Sequence, residues 1–110
     1  MRIEAEDRDV LDAIAARGEE IVARAVAWCA VNSGSRNLDG LERQRALLQT
    51  ALSALPGPVE NVALAASVDI ADSGEPRAQA HTDALKLTVR PEAPVQVVLT
   101  GHYDTVYPAS

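Results

Sequence analysis

The chain contains no phenylalanine, one tryptophan, two tyrosines, one methionine and one cysteine in 110 residues. Aromatics make up 3% against 47% hydrophobic residues overall, so the apolar mass is alanine, valine and leucine. Such side chains pack closely but fill little volume each, which points to one domain with a modest core. A single cysteine, Cys29, excludes an internal disulfide framework. Its place in an apolar helical run predicts a reduced, buried thiol. Basic residues are scarce as well, ten Lys and Arg against sixteen Asp and Glu, for a net charge of −6. The arginines are scattered, which excludes a nucleic-acid footprint, because neutralising phosphates takes a clustered basic patch.

Long apolar runs are also missing. The longest, residues 25–31, falls far short of the roughly 20 residues that span a bilayer. The first residues are acidic and lack the basic start and apolar centre of a signal peptide. A cytoplasmic protein with no membrane or nucleic-acid partner is the expectation.

Periodicity divides the chain in two. Val10, Leu11, Ile14, Ile21, Val22, Ala25, Val26 and Cys29 recur at three- and four-residue steps, which predicts one buried helical stripe. Asp7 or Asp9 can cap its start, and Gly18 costs about 1 kcal/mol relative to Ala, enough for a break or bend there. Asn32-Ser33-Gly34-Ser35 reads as the turn that ends it. A second helix follows, with Asp39 and Glu42 spaced as a capping box and Asn37 as a competing cap. Leu41, Leu48, Leu52 and Leu55 mark its buried face, and Pro56-Gly57-Pro58 stops it.

The second half reads as strands. Residues 59–68 alternate in part, residues 69–82 have no period and read as an exposed loop, and residues 84–90 alternate as a half-buried strand. After Pro91-Glu92-Ala93-Pro94, the β-branched run 95–100 reads as a buried central strand, since both its faces are apolar. Two N-terminal helices followed by three strands predict an α/β layer fold.

At the end of that last strand stand Gly101, His102 and Asp104. In extended backbone the i, i+2 spacing puts His102 and Asp104 on one side of the chain. A histidine beside a carboxylate is the material of a metal ligand, or of a general base with its orienting partner. Other chemistry-bearing residues read blandly. His81 is a solvated loop histidine, and Trp28 and Cys29 pack a helix. Glu19-Glu20 form a solvated helix face, and Ser33-Gly34-Ser35 lacks the strand-elbow-helix context of a nucleophile.

The run Val97-Val98-Leu99-Thr100-Gly101-His102-Tyr103-Asp104-Thr105-Val106-Tyr107-Pro108 resembles the first metal-site signature of the co-catalytic zinc exopeptidase and amidohydrolase family. That family includes carboxypeptidase G, aminoacylases, succinyl-diaminopimelate desuccinylase and carnosinase-like dipeptidases. Its pattern is an apolar strand, a small residue, then His-x-Asp-Thr-Val and usually a proline. A helix carrying Trp28, the Asn32–Asn37 turn and the Gly40-Leu41 helix start are similar to the family's N-terminal helical pair.

The resemblance implies that residues 1–110 open one α/β/α catalytic domain with a mixed sheet, the rest of that domain and a lid domain being absent. It implies that His102 binds one of two divalent metals, usually zinc. Asp104 is then the catalytic-site carboxylate that orients a metal-site group without binding metal itself. A general-base glutamate and the remaining ligands are expected downstream of Ser110. The implied reaction is hydrolysis of an amide bond in a small peptide or N-acyl amino acid, with room for a homodimer formed through the lid domain. The 110 residues alone are expected to hold zinc weakly and to be inactive. The alternative is a stand-alone, truncated, non-catalytic α/β module with an interaction role.

Overall fold

The computed structural model describes residues 3–107. It is mixed helix and sheet: α1 (Ala5–Ala15), α2 (Gly18–Cys29), α3 (Leu38–Leu52), β1 (Val59–Val62), β2 (Ser67–Ile70), β3 (Pro76–Gln79) and β4 (Ala84–Leu87). The chain divides into two compact units, Met1–Ala30 and Val31–Ser110. No helix among the described residues is long and apolar enough to cross a membrane.

In the first unit the expected long helix is two helices, parted where Gly18 stands. Asp7 serves the start of α1 from inside its first turn, its carboxylate accepting from the Glu4 N–H at 2.9 Å. Asp9 lies within the helix. On α2, Glu20 accepts from Arg17 at 2.7 Å and from Arg24 at 2.9 Å, so this acidic stretch does form a solvated, ion-paired face. The apolar stripe behaves differently from expectation. Ile14, Ile21, Val22 and Val26 are 48–65% exposed, and neither helix buries a residue. Cys29 is exposed too, against the expected buried thiol. The physical reason is that periodicity supplies a face able to be buried, while burial requires an apolar surface opposite it.

The second unit is built on α3. Its start is set by Asn37, whose side-chain oxygen accepts from the Gly40 N–H at 3.1 Å. Asp39 therefore lies inside the first turn, and of the two candidate caps the structure uses Asn37. An asparagine amide can cap and donate at once, which an aspartate cannot. Asn37 uses that capacity, donating to the Asn32 carbonyl oxygen at 3.1 Å and to its side-chain oxygen at 3.0 Å. Of the expected face, Leu41 is buried, Leu48 and Leu52 are half-buried and Leu55 is exposed. Leu41 is the one apolar side chain buried among the described residues, joined by Ser33 and Gln44.

α3 lies against β4. β4 pairs antiparallel with β1, Val59 opposite Leu87 and Val62 opposite Ala84. Leu85 and Leu87 are half-buried while Lys86 is exposed, as the alternation predicts. Across the pair Lys86 meets Glu60 at 3.3 Å.

The other strand expectations fail in part or in whole. The expected strand 59–68 ends as β1 at Val62, and its last two residues join part of the expected loop 69–82 in an antiparallel hairpin, with Ser67 opposite Gln79 and Ile70 opposite Pro76. Gly74 at φ +84 allows its turn, and the Gly74 N–H donates to the Ala71 carbonyl at 2.8 Å. The polar/β-branched alternation of Ser67-Val68-Asp69-Ile70 was the available signal. Residues 95–100, expected as a buried central strand of a mixed sheet, form no strand. Val95, Val97, Val98 and Leu99 are 76–92% exposed. A strand apolar on both faces needs a packed layer over each face, and among the described residues nothing covers this run. Both small sheets are antiparallel.

Candidate functional site

The segment 101–107 is placed by two anchors in place of the expected strand. Tyr103 donates its phenolic hydrogen to the Asp83 carbonyl at 2.7 Å and accepts from the Thr82 hydroxyl at 2.6 Å. Tyrosine has a single O–H, so Thr82 must be the donor in the second bond. Two residues on, Thr105 forms an isolated parallel bridge with Gly34. The Thr105 N–H donates to the Ser33 carbonyl at 2.9 Å, and the Ser35 N–H donates to the Thr105 carbonyl at 3.0 Å. A Cβ at Gly34 would meet the backbone oxygen of Tyr107, so only glycine permits this approach. Pro108, the last residue of the signature, lies outside the described residues.

Beside these anchors stand His102 and Asp104. Their side chains meet, His102 Nδ1 lying 3.1 Å from Asp104 Oδ1 and 3.0 Å from the Asp104 carbonyl oxygen. Both facing atoms are acceptors when the carboxylate is ionised, so Nδ1 carries the hydrogen. The Nε2 lone pair then points away from the pair, on a side chain that is 85% exposed. Asp104 is held below the usual carboxylate range chiefly by the Ser35 hydroxyl; burial opposes this, and His102 adds to the lowering.

Ser35 is the residue that sequence reasoning missed. Its hydroxyl donates to Asp104 Oδ2 at 2.7 Å, with the Thr105 carbonyl at 3.1 Å. No local signal could have found it, because a serine in an Asn/Ser/Gly turn looks the same whether it ends a helix or reaches across the fold. Serine, aspartate and histidine are the parts of a nucleophilic triad, but their order here is different. The hydroxyl bonds the carboxylate, whereas a triad serine must bond the imidazole that takes its proton.

These groups border a cleft of about 470 Å³, within the range of small-molecule sites. Arg36 reaches Asp69 of β2 at 2.6 Å, and Arg77 of β3 reaches the same oxygen at 3.0 Å. Asp69 is held below the usual carboxylate range, chiefly by its bond to Arg77. The Gln79 amide donates to the Ser35 carbonyl at 3.4 Å. His81 also borders the cleft and is exposed, as expected for a loop histidine, with Nε2 2.8 Å from the Ser67 hydroxyl.

As a metal centre the arrangement supplies one ligand position and its buttress. Among the described residues no group of three or more His, Cys, Asp or Glu gathers to hold an ion. The donor set thus fits one arm of a zinc site and does not make a whole one, since catalytic zinc takes three protein ligands. No family model, no curated protein and no solved structure matches this chain.

Proposed function

We propose that this chain is the N-terminal portion of a metal-dependent hydrolase that cleaves an amide bond in a small peptide or N-acyl amino acid. The observation that supports it is the His102–Asp104 pair. A carboxylate accepts a hydrogen bond from Nδ1–H and leaves an exposed Nε2 lone pair at the edge of a cleft of substrate size. An imidazole oriented by a carboxylate is how proteins present a histidine to zinc. The His-x-Asp-Thr-Val signature points to one of two divalent metals, usually zinc, in this reading. It also carries the α/β/α catalytic-domain assignment.

His102 holds one metal through Nε2, and Asp104 keeps the ring in the ligating tautomer and raises its basicity. Bound metal supplies Lewis acidity and a water activated at neutral pH. The other ligands and the general base come from outside the described residues, so the 110-residue chain binds zinc weakly and is inactive.

The test uses the enzyme that carries this segment, with metal content by mass spectrometry beside turnover of an N-acyl amino acid and dipeptide panel. His102→Ala should lose one metal equivalent and abolish activity. Asp104→Asn should lower metal affinity or rate by about 10- to 100-fold. Full metal and full rate in both variants would overturn the reading and leave the motif decorative; no metal and no turnover in the unsubstituted protein would favour a non-catalytic module.

A further inference from the structure

We infer that Ser35 is a positioning residue for His102. Through the Asp104 carboxylate, it sets which imidazole nitrogen is free to take an electrophile. The inference rests on the reading of His102 as a ligand only for its functional meaning. The link itself stands on geometry.

The Ser35 hydroxyl has one hydrogen and two acceptors in reach, Asp104 Oδ2 at 2.7 Å and the Thr105 carbonyl at 3.1 Å. The shorter contact goes to the charged acceptor, where such bonds are strongest. It fixes the carboxylate by one oxygen and leaves Oδ1 turned to His102 Nδ1 at 3.1 Å. A carboxylate held by one oxygen alone can rotate about its C–C bond. A second hydrogen bond, from a hydroxyl on another segment, stops that rotation.

The hydroxyl is itself fixed by the backbone. The Gly34–Thr105 bridge, the Asn37 N–H to the Gly34 carbonyl at 2.7 Å, and Asn37's bonds to Asn32 hold the turn on which Ser35 sits. The chain therefore runs Ser35 Oγ–H to Asp104, and His102 Nδ1–H to Asp104, leaving Nε2 bare. A free histidine side chain in water favours hydrogen on Nε2. Retaining it on Nδ1 needs a fixed acceptor: the Asp104 carbonyl oxygen at 3.0 Å offers a neutral one, and Ser35 fixes the carboxylate as the second, charged and stronger one.

The experiment is long-range ¹H–¹⁵N correlation of the imidazole nitrogens in the full chain, at one mildly alkaline pH. The chain has two histidines, and His81, bonded to Ser67, is the internal control. In the unsubstituted protein His102 should show a protonated Nδ1 and a bare Nε2. Ser35→Ala should shift His102 toward the Nε2–H form with His81 unchanged, and Ser35→Thr, which retains the hydroxyl, should restore the original pattern.

An Nε2–H His102 in the unsubstituted protein overturns the inference, whatever the variants do. So does a Ser35→Ala pattern identical to the original. Added zinc separates this link from the metal reading. If His102 Nε2 responds to zinc while its tautomer ignores Ser35, the link is overturned and the metal reading survives. A tautomer that follows Ser35 with an Nε2 indifferent to zinc upholds the link and counts against the metal.

Discussion

Asn37 and Asn32 are joined twice through one amide group, which donates to the Asn32 carbonyl oxygen at 3.1 Å and to its side-chain oxygen at 3.0 Å. The other end of that amide caps α3 by accepting from the Gly40 N–H. One side chain thus starts a helix and closes the turn that carries Ser35. Asn37→Asp retains the cap acceptor but sets a carboxylate against two oxygens. It should cost on the order of 1–3 kcal/mol, more than the cap alone would explain. Urea midpoints of Asn37→Asp and Asn37→Ala check this. An Asp variant as stable as the original would show that the clasp contributes nothing.

Gly40 stands at the third position of α3, where alanine should be better by helix propensity, by up to about 1 kcal/mol. A Cβ there, however, would meet the backbone oxygen of Asn32 and the side chain of Asn37. Backbone cannot give way as a flexible side chain can, so sterics should win. Gly40→Ala is expected to lower stability by about 1–3 kcal/mol. A thermal midpoint that rises on substitution would mean that the turn is not seated on the helix start.

Gln44 is buried at 7% exposure, and its Oε1 has no hydrogen-bond partner among the described residues. An unpaired buried carbonyl costs roughly 1–3 kcal/mol. Gln44→Met retains the length and removes the orphan, so it should stabilise the fold by about 1 kcal/mol. Chemical denaturation of the variant is the check, and a clear loss of stability would sink the idea.

Asp69 should impose a pH dependence on the β2–β3 hairpin and its tie to Arg36. Its folded-state pKa lies below the unfolded value, chiefly through Arg77. The folded state then binds protons less readily than the unfolded one. The stabilisation is complete above the ordinary aspartate range near about 4 and fades as pH falls through the lower folded value. Asp69→Asn should therefore be less stable than the original chain near neutral pH and indistinguishable from it in acid. Melting curves across that range decide the matter, and a constant difference at every pH would exclude the ion pairs as its source.

Much of the local structure was legible in the sequence. The break at Gly18, a helix start between the two candidate caps Asn37 and Asp39, Leu41 on its buried face, and the half-buried alternation of β4 all follow from spacing and side-chain chemistry within a few residues. His102 does meet Asp104, as their spacing suggested, but in a segment that forms no strand. These features depend on φ/ψ preference and on neighbours that the chain itself supplies nearby.

What only the tertiary structure decided depends on partners far along the chain. Ser35 and Asp104 are 69 positions apart, and their bond exists because Thr105 bridges to Gly34. The stripe of α1 and α2 and the apolar run 95–99 were readable as surfaces able to be buried, yet they stand exposed. A hydrophobic pattern states what a segment could bury. A helix face needs an opposing surface and a strand needs unpaired neighbours for its N–H and C=O groups, and neither requirement is written in the segment's own residues.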